Sequence, residues 1–132
     1  MASRFTVAPD LRELEDIARQ AFRKIPAELR RHTDGVVIQV EDFPDSGTER
    51  ELSLESPFDL LGLYRGVSLD QKSVSETPAD VDMIFLYRRP ILDYWLETGE
   101  DLAHIVRHVL IHEIGHHFGL SDEDMERIER QS

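Results

Sequence analysis

Two histidines and a glutamate near the C-terminal end of the sequence have the types and the spacing of a metal site. His112, Glu113 and His116 form the pattern His-Glu-x-x-His. Positions four apart on an α-helix are separated by about 40° around the axis and about 6 Å along it, so two imidazoles can bind one ion. Glu113 follows the first histidine directly and can reach a water on that ion without coordinating the metal. The pattern therefore predicts a zinc site with a carboxylate beside it.

A third ligand is expected just after the helix that carries the histidines. A catalytic zinc site uses three protein ligands and keeps one position open. Gly119 can adopt a positive φ and end the helix with a sharp turn, and Asp122 follows three residues later. The turned chain can bring this carboxylate back towards the histidines. The full pattern is far rarer by chance than His-Glu-x-x-His alone, because each added fixed residue cuts random matches about tenfold or more.

Asp122 also has a purely structural interpretation. It follows Ser121, a good N-cap, and an acidic residue in a first helical turn complements the helix dipole. Ligation is favoured because two histidines alone leave zinc short of ligands. Glu126, one turn later, is the first substitute for Asp122.

Other polar side chains near the motif are not assigned to the metal. His104 and His108 extend the four-residue spacing back from His112, but such residues are more often partly exposed or support the ligands. His117 lies beside Glu113 and either orients it or packs through hydrogen bonds. Three tyrosines can supply a hydroxyl to a developing oxyanion, although core packing is the better interpretation for each. They are Tyr64, Tyr87 and Tyr94.

The segment from His112 to Asp122 resembles the extended zinc motif of the zincin superfamily, in the metzincin-like variant whose third ligand is aspartate. In a short acidic chain, the run HEIGHHFGLSD is similar to the minimal zincin-like metallopeptidases of bacteria. The resemblance implies that His112, His116 and Asp122 hold one zinc ion and that Glu113 is the general base. The sequence runs ten residues past Asp122, so we expect no separate Met-turn segment, and Met125 is the nearest methionine.

A long, buried helix is predicted around the motif, from about Glu100 to Phe118. Apolar residues lie on most sides of this segment, which is typical of a helix at the centre of a domain. They are Leu102, Ile105, Val106, Val109, Leu110, Ile111, Ile114 and Phe118. Polar groups on such a helix are costly to bury unless they are paired, and a metal is the obvious partner.

The rest of the chain predicts an α+β domain, in which a few-stranded mixed sheet packs against this active-site helix. The other predicted helices lie at 10–25, 28–31, 91–97 and from Ser121 almost to the C-terminus. The predicted strands lie at 36–40, 60–67 and 81–87, the first of them buried. The predicted loops lie at 41–57 and 68–80, the first of them mobile.

Length and composition narrow the classes of protein that fit. A chain of 132 residues predicts one domain, 1–132, and 40% hydrophobic with 32% charged residues indicates a globular one. Acidic residues outnumber basic ones by 27 to 15, and the net charge of −12 argues against nucleic-acid partners. The sequence has no cysteine, no apparent secretory signal and no apolar run that could span a bilayer. We therefore expect a cytoplasmic protein without a membrane partner.

Two functions fit these residues. The first is a zinc-dependent metallopeptidase whose peptide or protein substrate adds to an exposed strand edge, with 60–67 as the candidate because Gly62 and Gly66 permit close backbone approach. The alternative is a non-catalytic zinc-binding interaction module that uses the same ligands to hold the long helix to the last helix. Glu113 favours the enzyme, because a purely structural site has no use for it. A domain without any metal is a third possibility.

Overall fold

The structure is a computed structural model that describes residues 7–33, 35–66 and 82–131. The α-helices in these ranges are α1 (Leu11–Arg23), α2 (Ala27–Arg30), α3 (Ser46–Glu51), α4 (Arg88–Thr98), α5 (Leu102–His117) and α6 (Asp122–Arg130). The strands are β1 (Val37–Glu41), β2 (Gly62–Arg65) and β3 (Met83–Tyr87). Short 3-10 turns lie at Arg31–Thr33 and Pro57–Asp59. The predicted α+β class is confirmed.

The three described strands form a mixed sheet in the order β1-β3-β2. β1 runs parallel to β3, whereas β2 runs antiparallel to it. In β1, Val40 is buried but Val37 is 42% exposed, so the prediction of a buried strand was wrong at Val37. Successive side chains of a strand point to opposite faces, and α1 packs on β1 from one side, so alternate β1 residues stay near solvent.

The long helix α5 forms the centre of the hydrophobic core, as the apolar pattern predicts. Eight of its residues are buried, and it packs against α1, β2, α4 and α6. Asp101 begins the helix by accepting a hydrogen bond from the His104 backbone N–H at 3.1 Å. None of the helices in the described ranges is long and apolar enough to cross a membrane.

The structure corrects two predicted helix boundaries. The segment 41–57 is not only loop, because the Asp45 carboxylate accepts the Thr48 N–H at 2.7 Å and begins α3. The helix α4 starts at Arg88, earlier than predicted, because Pro90 lies in its first turn, where a missing backbone N–H removes no helical hydrogen bond. The predicted loop at 68–80 lies outside the described residues, as do the ends of two predicted strands, Val67 and Val81.

Candidate metal centre

The last two turns of α5 carry the predicted motif. His112 is half-buried, whereas the side chain of His116 is 56% exposed. Their ring centroids lie 5.3 Å apart with an interplanar angle of 83°. Two imidazoles on successive turns of one helix therefore stand close together at the end of α5.

The turn after α5 is built by Gly119, which has a φ of +75°. Leu120 N–H donates to Gly115 C=O at 2.8 Å, and Gly119 N–H donates to His116 C=O at 3.2 Å. This pair of hydrogen bonds is the Schellman motif, which requires a left-handed residue at this position. The predicted glycine turn is confirmed. It reverses the chain so that α6 packs back against α5.

Asp122 is the first residue of α6, directly after the turn. Ser121 caps this helix by accepting the Asp124 N–H at 3.1 Å, so the capping role foreseen for Ser121 is real. The Asp122 Oδ1 lies 3.8 Å from His116 Nε2, which is too long for a hydrogen bond. The Asp122 side chain is 86% exposed and can move without disturbing the core. Asp122 is therefore next to one of the two predicted histidine ligands.

The three predicted ligands are brought together only in part. Within the described ranges, the group of three ligand atoms that all lie within 4.8 Å of one another is His108, His112 and Glu129, not His112, His116 and Asp122. The chemistry of the predicted set nevertheless fits zinc, because two imidazoles and one carboxylate are a common catalytic donor set for this ion. The ligation by His112, His116 and Asp122 stays a prediction.

Glu113 lies on the side of α5 that faces β2. Its carboxylate is mostly buried and lies near the backbone N–H of Tyr64. Burial raises the pKa of Glu113, while nearby His116 and the Tyr64 N–H oppose that rise. A carboxylate is thus held between the histidine-bearing helix and a strand of the sheet.

The Tyr64 N–H belongs to the side of β2 that faces away from β3. Tyr87 N–H donates to Leu61 C=O, and in an antiparallel pair the residues alternate between bonding the partner strand and pointing away from it. Gly62 and Tyr64 therefore direct their backbone groups away from β3. Glu113 occupies this open side at Tyr64.

An aromatic stack covers the same end of β2. The His117 ring lies on the Tyr64 ring, with centroids 4.0 Å apart and planes at 17°. A Cβ at Gly66 would overlap the His117 ring, so a larger residue there would require this ring to move. The Tyr64 hydroxyl donates to Asp82 Oδ2 at 3.0 Å, and burial, followed by this bond, raises the pKa of Tyr64. The packing interpretation holds for Tyr64, and His117 packs on it.

His108 and Glu129 join His112 although the sequence analysis left both unassigned. His108 Nδ1 lies 2.5 Å from Glu129 Oε1, and the His108 and His112 rings have centroids 4.2 Å apart. Burial, and next the neighbouring His108, lower the pKa of His112. The sequence signal that could have indicated these two residues is their spacing. His108 precedes His112 by one helical turn, and Glu129 follows Asp122 by two turns.

Comparison with known families accounts for most of the chain. A family model described as zincin-like metallopeptidase matches residues 33–132, which include the whole motif. No curated protein gave a significant match to the chain. The family match implies a zinc cofactor and indicates a hydrolase. The chain belongs to the zincin-like metallopeptidase family.

Proposed function

We propose that this protein is a zinc-dependent metallopeptidase in which Glu113 is the general base. His112, His116 and Asp122 would hold one zinc ion. The observation that carries the proposal is the position of Glu113, whose mostly buried carboxylate lies beside His116 and against the open side of β2. Burying a carboxylate is costly, and a purely structural zinc site has no need of it.

The side chains have distinct tasks in this reaction. Zinc held by His112, His116 and Asp122 would supply a water of lowered pKa and a positive charge for the scissile carbonyl oxygen. Glu113 accepts a proton from the attacking water on its carboxylate and later donates it to the leaving amine. The nearby Tyr64 N–H stabilises the charged form of this carboxylate. Glu113 thus shuttles one proton and returns to its starting charge.

The substrate would lie as an extended peptide along the open side of β2, by strand addition. Gly62 and Tyr64 are buried, whereas Arg65 is exposed and Gly66 is half-buried. The accessible end of this edge is therefore Arg65–Gly66, which directly follows Tyr64, the β2 residue beside Glu113. The net charge of −12 favours a neutral or basic peptide over a nucleic acid. The absence of a membrane partner and the cytoplasmic location remain proposals.

The zinc site is tested by metal content in two matched variants. Asp122→Ala and Asp124→Ala each remove one acid from the first turn of α6, so both weaken the same helix-dipole interaction. We expect wild-type protein and Asp124→Ala to keep zinc at chelator concentrations at least about tenfold above those that remove it from Asp122→Ala, because a three-ligand site cannot spare a carboxylate. Equal retention of zinc by all three proteins would exclude Asp122 as a ligand.

Activity on a peptide library then separates the peptidase from the non-catalytic module. The zinc-loaded wild-type chain should cleave peptides, lose this activity on chelation and regain it when zinc is returned. Stable zinc binding without any cleavage would instead support the module, which uses the same ligands.

The role of the glycine turn is tested by comparing two glycines with left-handed backbones. Gly119 and Gly99 have φ values of +75° and +70°, and an added Cβ at either meets no atom within 4 Å. Gly119→Ala and Gly99→Ala should therefore each lower the free energy of unfolding by about 1 kcal/mol. Only Gly119→Ala should also weaken zinc binding, because its turn leads to Asp122. Urea unfolding and zinc titration measure the two effects, and equal zinc affinity in both variants would contradict the role of the turn.

A further inference from the structure

We infer a second divalent-metal site between α5 and α6, formed by His108, His112 and Glu129. One ligand atom from each residue lies within 4.8 Å of the other two. The site shares His112 with the proposed catalytic set, but its other two ligands lie further from the Gly119 turn, one on each helix. Its existence does not depend on the proposed function.

The packing of the two helices explains why a second set arises. α5 and α6 are joined by the tight turn at Gly119 and pack against each other. His108 lies two turns before His116 on α5, and Glu129 lies two turns after Asp122 on α6. Moving away from the turn along both helices therefore repeats the arrangement of an imidazole facing a carboxylate.

The environment of Glu129 favours a cation between the helices. Its Oε1 atom is buried, and within the described residues it has no hydrogen bond of acceptable geometry. Its separation of 2.5 Å from His108 Nδ1 is shorter than an ordinary N–H···O bond, which spans about 2.7–3.2 Å. A buried carboxylate needs a positive partner, and a metal ion bound by both groups would supply one.

Arg107 reaches the same end of α6 but donates no hydrogen bond to Glu129 Oε1. Arg107 directs its Nη2 to the backbone carbonyls of Ile128 and Glu129, at 3.4 and 3.0 Å. It thereby fixes the C-terminal end of α6 against α5 while leaving the Glu129 side chain to the histidines. The side chain of His108 is 48% exposed, so it can turn to accommodate an ion.

The donors select the class of ion. Two imidazoles and one carboxylate suit zinc and the neighbouring ions Co²⁺, Ni²⁺ and Cu²⁺, whereas Mg²⁺ and Ca²⁺ prefer oxygen ligands. Because both sets use His112, an ion in the second site should weaken binding in the first. This competition, unlike the site itself, rests on the proposed function, and it would make the enzyme sensitive to excess zinc.

The site is tested with Co²⁺ as the probe in a variant that lacks the proposed catalytic ligands. The double variant His116→Ala/Asp122→Ala should still bind one Co²⁺, seen in its visible absorption and by competition with a chelating dye. Adding Glu129→Gln or His108→Ala to this background should weaken binding at least about tenfold. His104→Ala is the matched control, because His104 is exposed on the same helix and outside the cluster. It should leave the affinity unchanged.

The outcomes separate the second site from the proposed function. If the wild type binds metal but the double variant does not, the second site is overturned and the catalytic set stands. The second site is also overturned if neither Glu129→Gln nor His108→Ala weakens Co²⁺ binding by the double variant. A wild-type chain that binds no metal overturns both. Where a variant fails to fold, NMR of the wild type with diamagnetic Zn²⁺ decides: Zn²⁺ beyond one equivalent should shift the ring nitrogen signals of His108 by direct coordination but not those of His104, and an unaffected His108 would reject the site.

Discussion

Replacing Glu113 with glutamine is expected to lower kcat by about 10²–10⁴-fold, the usual contribution of a general acid–base group, while the zinc content stays at the wild-type level. Glutamine has the same shape, and its amide oxygen can occupy the place of the carboxylate oxygen near the Tyr64 N–H. It cannot take up a proton from water. Because Glu113 is not one of the proposed ligands, the variant should lose turnover without losing metal. The measurements are kcat on a cleaved library peptide and zinc by atomic absorption.

Glu123→Gln is the matched control for this experiment. Glu123 is an exposed acid in the first turn of α6, so its replacement changes the charge near the site without touching Glu113. It should leave kcat unchanged. Hydrolysis retained by Glu113→Gln would eliminate Glu113 as the base, and zinc lost from Glu113→Gln would show that this residue supports the metal instead.

Those features of the fold that depend on local sequence were predictable. The buried helix α5 follows from apolar residues on most of its sides, and its end follows from Gly119, whose positive φ the structure confirms. The start of the first helix is also a local feature, because Asp10 and Glu13 form a capping box there. These signals act within one or two turns of the chain, so the sequence carries them directly.

Features that depend on packing between distant segments were not predictable in the same way. The contact of His108 with Glu129 requires the side-by-side arrangement of α5 and α6, which no local pattern specifies. The exposure of Val37 depends on the position of β1 in the sheet order rather than on its β-branched sequence.

The short helix α3 was missed for a different reason. Its capping signal, Asp45 followed by Thr48, lies among residues that usually mark loops, including Pro44 and Gly47. The side chain of Arg65 on β2 then contacts this helix, donating to Thr48 Oγ1 at 3.2 Å and to Glu51 Oε2 at 2.8 Å. A marginal helix is thus fixed by a tertiary contact, which overrides the weak local preference.

The close approach of α5 to β2 gives the second large expected effect. A Cβ at Gly62 would lie 2.6 Å from Val109 Cγ1 and 3.1 Å from the Phe85 backbone oxygen. Neither neighbour can yield easily, because Val109 is a stiff side chain on α5 and Phe85 is backbone of β3. Gly62→Ala should therefore lower the free energy of unfolding by about 1–3 kcal/mol, as overpacking of a core does.

The same substitution should also disturb the candidate site. Separation of α5 from β2 would move Glu113 away from the Tyr64 N–H, so kcat should fall along with stability. Gly47→Ala is the control, and its expected effect on the free energy of unfolding has the opposite sign. Its Cβ would make an ordinary contact of 3.4 Å with Asp45 Oδ1, and alanine in α3 should raise the free energy of unfolding by at most about 1 kcal/mol. Urea unfolding measures the stability of both variants. Unchanged stability in Gly62→Ala would mean that α5 does not pack tightly against β2. In that case β2 would not position Glu113.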